Sequence, residues 1–109
     1  MINWRWLAGF WEGEGSCGTY KTTKHYYTLQ VSITQKNIKV LRKIKVFLGY
    51  GNLLIRKHKK EKYGYLYFWG NNARYFLNKI LIYSNHSDKR KQINKALNLD
   101  KKYVQPRKR

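Results

Sequence analysis

Glu12 and Glu14 stand one residue apart among glycines in the stretch LAGFWEGEGS, Leu7 to Ser16, and are two of the five carboxylates in a chain that carries 24 Lys and Arg. Gly9 and Gly13 lie four residues apart, on one face of a helix, where the missing side chains let a second helix approach almost backbone to backbone. Two such helices crossing at their C-terminal ends bring two Glu14 side chains to one locus. Paired carboxylates resist ionising together unless a cation lies between them. The arrangement therefore suggests a hard divalent metal such as Mg²⁺, held by carboxylate, backbone carbonyl, water and phosphate oxygens. A carboxylate among many cations can also be a plain ion-pair partner, which is the reading for Glu61 and Asp88.

Other chemistry is sparse. Cys17 is the only cysteine, so a disulfide framework and a thiolate zinc site within one chain are excluded, and it reads as a small buried or half-buried residue. His25, His58 and His86 lie far apart without a helical i, i+4 partner, so they read as surface or groove residues and not as metal ligands.

The 109 residues suit one domain. A net charge of +19 repels itself unless a polyanion neutralises it, and nucleic acid is the first candidate. A membrane surface would need a long amphipathic helix with its Lys on one face, whereas here Lys is interleaved with Tyr, Trp and Thr. No apolar run approaches the roughly 18 residues of a spanning helix, and MINWRWLAGF lacks the apolar stretch and cleavage site of a signal peptide. The expectation is a cytoplasmic, nucleoid or organellar protein that is not secreted and has no membrane partner.

The elements that must position the acids follow from periodicity. Asn3 can cap a short helix from Trp4 to Glu12, broken by Gly13 and Gly15, which delivers Glu14 at its exit. Ser16 to Lys24 and Tyr26 to Thr34 read as strands, the second alternating Tyr27, Leu29, Val31 and Ile33 against Thr28, Gln30, Ser32 and Thr34. Val40, Leu41, Ile44, Phe47 and Leu48 recur at helical spacing until Gly49 to Gly51 stops them. A second strand pair, NLLIRKHKK and YGYLYFWG, is joined around Glu61 to Gly64, with Leu66 and Phe68 facing opposite to Tyr65, Tyr67 and Trp69. Asn71 or Asn72 can cap a third helix carrying Ala73, Phe76, Leu77, Ile80 and Leu81. Ser87 or Asp88 can cap a fourth carrying Ile93, Ala96 and Leu97. The basic stretch KKYVQPRKR has no periodicity, so the domain is expected to end at residue 98, with residues 99–109 a mobile tail.

A sheet with helices on one face leaves its other face free. Here that face would carry Tyr20, Thr22, Lys24, Thr28, Gln30, Ser32, Arg56 and His58. Paired strands enter the DNA major groove, where Gln, Arg, Lys, Ser and Thr read the donor and acceptor pattern of the base pairs. An ordinary solvated sheet face is the alternative, and the charge tips the reading toward recognition.

LAGFWEGEGS resembles the signature of the LAGLIDADG homing endonucleases, with Leu7, Ala8 and Gly9 identical, Glu12 and Glu14 in the acidic places and Gly15 closing it. The order of elements is similar to that family's α+β αββαββα core, an antiparallel sheet saddle with helices packed on one face. ITQKNIKVLRKI, from Ile33, is similar to the approach into its second helix. One motif copy implies a homodimer, with Gly9, Gly13 and Glu12 at the interface and Glu12 bonding near the start of the partner helix. The resemblance makes Glu14 the essential metal ligand, assisted by the Gly13 carbonyl, with Mg²⁺ or another divalent cation such as Mn²⁺. The family more often shows Asp there. Gln35 matches the position that orients solvent around the scissile phosphate, and Lys39 falls where a basic residue often stands. Lys89 resembles the active-site lysine, with Arg90 and Lys91 beside it as alternative registers. The implied activity is metal-dependent hydrolysis of both strands of double-stranded DNA at a long, nearly palindromic site, in a protein of intron-encoded type.

Three other readings stand beside it. An RNA maturase of the same fold would take intron RNA as its partner, though Glu14 argues against complete loss of cutting. A non-enzymatic basic RNA-binding protein suits the composition but leaves the glycine and carboxylate pattern unexplained. The tyrosine and glycine runs LGYGN and YGYLY do not reproduce the spacing of the GIY-YIG nucleases.

Overall fold

Asn3 opens the first helix: its side-chain oxygen accepts from the Trp6 amide at 2.8 Å, satisfying one of the free N–H groups of a helix start. The structure, a computed structural model, describes residues 2–23 and 26–103. Helix α1 spans Trp4–Glu14, two residues past its expected end at Glu12. Gly13 costs helix propensity without blocking the helix. The last turn is held by the fully buried Trp11 and by the Gly15 N–H, which donates to the Trp11 carbonyl. Gly15 is also a close approach, since a Cβ there would lie 2.0 Å from the Trp11 ring.

Strands β1 (Gly15–Thr23) and β2 (Tyr26–Gln35) pair antiparallel, Gly15 opposite Ile33 and Cys17 opposite Val31. Helix α2 (Ile38–Leu48) is capped by Asn37 and closed by Gly49 at φ +81°, the left-handed conformation that glycine adopts without penalty. Strands β3 (Asn52–His58) and β4 (Glu61–Trp69) follow. Their turn lies at Lys59 and Lys60, not around Glu61 to Gly64 as expected. Lys59 takes φ +57° itself, and Gly64 sits within β4 because α2 presses on it. A Cβ there would come 2.6 Å from Leu41 Cδ1.

Helix α3 (Asn71–Tyr83) begins after Gly70, which offers no side-chain cap. Asn71, expected as a cap with Asn72 as the alternative, instead accepts from the Arg74 guanidinium. Helix α4 (Ser87–Tyr103) is capped by His86, whose Nδ1 accepts from the Lys89 amide at 3.3 Å, and not by Ser87 or Asp88. The boundary expected after residue 98 falls inside α4. There Asp100 is fully buried and receives the Arg74 Nε at 2.6 Å and Nη2 at 2.9 Å. Tyr103 stacks on Tyr27 with ring centroids 4.4 Å apart. Residues 104–109 of the expected tail lie outside the described residues.

The four strands form one antiparallel sheet in the order β1-β2-β4-β3. Cys17, Leu29, Val31, Ile33, Leu66 and Phe68 point to one side and meet Leu7 and Trp11 of α1, Leu41 and Ile44 of α2, Phe76 and Ile80 of α3 and Ile93 of α4 in one buried core. Alternation within strands leaves the opposite side of the sheet free. The architecture is the expected α+β order, αββαββα followed by one further helix. No helix among the described residues is long and apolar enough to cross a membrane.

Candidate active site and nucleic-acid face

Glu14 is the last residue of α1 and is exposed. In a chain with 24 Lys and Arg, it makes no ion pair or hydrogen bond among the described residues, and neither does the half-buried Glu12. That placement is unfavourable in itself, because the C-terminal end of a helix carries partial negative charge. The Gly13 carbonyl belongs to the same last turn, whose carbonyls have no helical donors. A carboxylate and a carbonyl thus share the last turn of α1, whose partial negative charge a cation would relieve. Among the described residues no group of three His, Cys, Asp or Glu could hold a metal ion.

Helix α4 supplies the neighbouring positive charge. Lys89 Nζ donates to the Gly15 carbonyl at 2.5 Å and lies 5.2 Å from the Trp11 ring centroid, a cation over an aromatic face. Of the three registers open in the sequence, Lys89 is the one that reaches the α1 exit. Arg90 is turned to the carbonyls of Leu81 and Ser84, and Lys91 is exposed. One turn on, Gln92 donates to the Cys17 carbonyl at 3.1 Å and to Ser16 Oγ at 3.5 Å. Gln92 was missed in the sequence, where its i+3 spacing from Lys89 was the available signal. Burial pushes the Cys17 thiol up to about 12, with nearby Lys89 opposing, so it stays protonated near neutral pH.

Gln35 ends β2, two residues beyond Ile33, the partner of Gly15. Its Oε1 accepts from the amides of Lys36 at 2.9 Å and Asn37 at 3.4 Å, which fixes the side chain and leaves its amide N–H groups without an acceptor among the described residues. Lys39 is exposed on α2, and no contact among the described residues ties it to Glu14, Gln35 or Lys89. Glu61 is paired with Lys36 at 3.2 Å, as read from the sequence. Asp88, read the same way, forms no ion pair among the described residues and instead sits in the first turn of α4, where the helix dipole favours a negative charge.

The free side of the sheet carries Tyr20, Thr28, Gln30, Ser32, Arg56 and His58 by register, and Thr22, at the irregularity of β1, lines a groove there with Thr28 and Gln30. Lys24, assigned to the same face, lies outside the described residues, as does His25. The sequence reading left the side chains of β4, the strand running through the middle of this surface, off this face. Tyr63, Tyr65, Tyr67 and Trp69 of β4 alternate onto it, Trp69 opposite Gln30, Tyr67 opposite Ser32 and Tyr63 opposite Arg56. Their alternation was legible, but their assignment to this face needed the pairing register.

Helix α1 has two apolar sides. Leu7, Ala8 and Trp11 are buried in the core, while Trp6, Gly9, Phe10 and Gly13 recur at i, i+3, i+4 and i+7 on the other side. Trp6 and Phe10 stack there at 5.0 Å, with Trp6 still 41% exposed. A Cβ at Gly9 or Gly13 would meet nothing within 4 Å. No contact among the described residues requires glycine at either position, although each costs roughly 0.8–1 kcal/mol of helix propensity relative to Ala.

The profile of the LAGLIDADG endonucleases matches residues 7–103. No curated protein matches the chain. Among solved structures it is similar to the homing endonuclease I-CvuI in complex with its target in the presence of calcium, with TM-score 0.72 and 25% identity over 92% of this chain and 66% of that one. The fold is also that of the LAGLIDADG meganuclease I-AabMI bound to uncleaved DNA, with TM-score 0.74 and 23% identity over 92% of this chain and 36% of that one. The homing endonuclease I-TnaI shares it too, with TM-score 0.69 and 20% identity over 90% of this chain and 71% of that one. The chain thus spans just under two thirds of I-CvuI and about a third of I-AabMI.

Proposed function

Since the chain belongs to the LAGLIDADG endonuclease family, we propose that it is a site-specific, divalent-metal-dependent DNA endonuclease that works as a homodimer. One observation carries the reading. Among the described residues of this strongly basic chain Glu14 makes no ion pair, and it ends a helix whose outer side is an apolar, glycine-bearing stripe that leaves Trp6 exposed. Pairing two copies through Trp6, Gly9, Phe10 and Gly13 covers that stripe and brings two Glu14 carboxylates together.

Glu14 and the Gly13 carbonyl would hold Mg²⁺ or Mn²⁺ together with phosphate and water oxygens. A divalent cation there supplies acidified water and charge neutralisation at the phosphoryl group. The protein's own groups do the rest. Lys89, anchored on Gly15 beside Glu14, holds a fixed positive charge near the place where negative charge grows on the phosphate. Gln35, with its oxygen occupied by the turn, presents its N–H groups to solvent. Lys39 is left as a cation of the outer shell. The free sheet face reads one half of the target, with Gln30, Arg56, Thr28 and Ser32 toward base edges. The twofold axis makes the whole site nearly palindromic.

The test is incubation of the protein with Mg²⁺ and a randomised duplex pool, followed by sequencing of the cut ends. Defined double-strand breaks that vanish on chelation support the reading. Binding without breaks in Mg²⁺ or Mn²⁺ overturns it.

A further inference from the structure

We infer that the free sheet face also binds unpaired nucleotides, whose bases stack on the aromatic row of β4. This face is not the uniform basic coat that +19 would lead one to expect. Among its described strand positions, Arg56 is the one Lys or Arg, while Tyr20, Tyr26, Tyr63, Tyr65, Tyr67 and Trp69 all lie on it by register. Tyr26 is 70% exposed and Trp69 51%. The rings of Tyr65 and Tyr67 are 5.4 Å apart and those of Tyr67 and Trp69 5.8 Å. Each ring therefore limits its neighbour's rotation, so little side-chain freedom remains to be lost on binding.

The chemistry of the possible occupants decides between them. A duplex hides the faces of its bases in its own stack and offers only edges and phosphates, which use Gln30 and Arg56 but leave the exposed aromatic area without a counterpart. An unpaired strand offers base faces, and stacking on an aromatic ring is sequence-tolerant because every base has one. One groove beside the row is bounded by Thr34, Arg56, Tyr63 and Tyr65; the other is bounded by Thr28, Gln30, Tyr67 and Trp69 among others. Each sets aromatic rings beside side chains that bond base edges. Exposed Lys59 and Lys60 form the turn between β3 and β4, and their charge suits a phosphate backbone running off the row. A second protein would have to bury the hydroxyl and amide groups of β2 between the rings, so a polyanion with flat faces fits better.

The test uses three labelled 12-mers in chelator-containing buffer, oligo(dT), oligo(U) and an abasic deoxyribose phosphate of equal length, read by fluorescence anisotropy. Both base-bearing strands, or one of them, should bind well above the abasic strand. Tight binding of oligo(U) identifies an RNA strand as the source, and tight binding of oligo(dT) alone identifies a DNA strand. Tyr67→Thr and Trp69→Thr, which keep strand propensity, should weaken binding by roughly 5- to 150-fold each. Tyr75→Ser, at an exposed aromatic on α3, should change nothing. Circular dichroism establishes that the variants fold, and Tyr65→Thr replaces any that does not. Equal affinity for the abasic strand, or unchanged affinity in the β4 variants, overturns the inference. So does failure of single strands to bind where duplex binds. Because the assay contains no divalent metal and no duplex cutting, its failure leaves the nuclease reading standing, and loss of the nuclease reading leaves this one.

Discussion

Lys89 and Gly15 are 74 residues apart in sequence, yet the Lys89 ammonium donates to the Gly15 carbonyl at 2.5 Å. That bond ties α4 to the point where α1 becomes β1, one residue past Glu14. It sets a cation beside the proposed metal ligand without neutralising it, since the carbonyl and not the carboxylate accepts the hydrogen bond.

Lys89→Met should lower single-turnover cleavage by roughly 10²- to 10³-fold, the usual loss on removing one preorganised charge-stabilising group. Duplex affinity should fall little. Lys91→Met, at a neighbouring exposed site, should cleave at nearly the parental rate. Equal losses in the two variants would remove Lys89 from the chemistry.

Glu14→Gln should abolish cleavage while duplex affinity stays the same or rises, because a ligand for the cation and a negative charge facing phosphate are both lost. Cleavage near the parental rate would rule out the metal assignment. In a purified mixed dimer of one parental and one Glu14→Gln chain, nicking is expected in place of double-strand cutting.

Gly9→Ala separates the fold from the assembly. The added methyl meets nothing within 4 Å among the described residues, so the isolated subunit should gain up to about 1 kcal/mol of stability. The dimer should loosen, because the same methyl stands between the two helices. Sedimentation read alongside urea denaturation measures both, and a dimer as tight as the parental one would contradict α1 pairing.

Asp100 makes the end of α4 part of the domain. Asp100→Ala leaves the Arg74 guanidinium half-buried without its carboxylate and should cost about 3–5 kcal/mol. A chain ending at Asn98, which also loses the Tyr27–Tyr103 stack, should be destabilised further. Urea midpoints that do not move would return α4's last turns to the status of a tail.

Cys17 predicts a pH effect. Its thiol ordinarily ionises near 9.0 and is raised to about 12 in the fold. Between these values the unfolded chain releases a proton that the folded chain keeps. Stability is therefore fully present below about pH 9 and declines as pH rises toward 12. The folded protein should resist thiol alkylation at pH 8, and Cys17→Ser should flatten the alkaline limb of the stability profile. Rapid alkylation of the native protein would show the thiol to be accessible.

The element order was legible in the sequence because it rests on local periodicity. The alternation from Tyr27 to Thr34 and the helical spacing from Val40 to Leu48 are set by which side chains must leave water, and neighbours along the chain suffice to show it. The motif at Glu12 and Glu14 was legible for a similar reason, since glycines and acids at fixed spacing need no distant partner to be noticed. What failed were features decided by contacts across the chain. Gly64 read as a turn residue and is a strand residue, because Leu41 packs where its side chain would be. Residues 99–103 read as tail for want of periodicity, yet they are helix, held by Arg74 on α3 and Tyr27 on β2. The choice among Lys89, Arg90 and Lys91 depends on which side of α4 faces β1, a rotation of about 100° per residue that composition does not register. The aromatic row of β4 was visible as an alternation, but only the register pairing Trp69 with Gln30 and Tyr67 with Ser32 put it on the free face. The sequence by itself determined the order of elements and the acids that stand at a helix exit. The tertiary structure decided which cation reaches that exit and what the sheet presents, because both are set by packing between segments far apart in the chain.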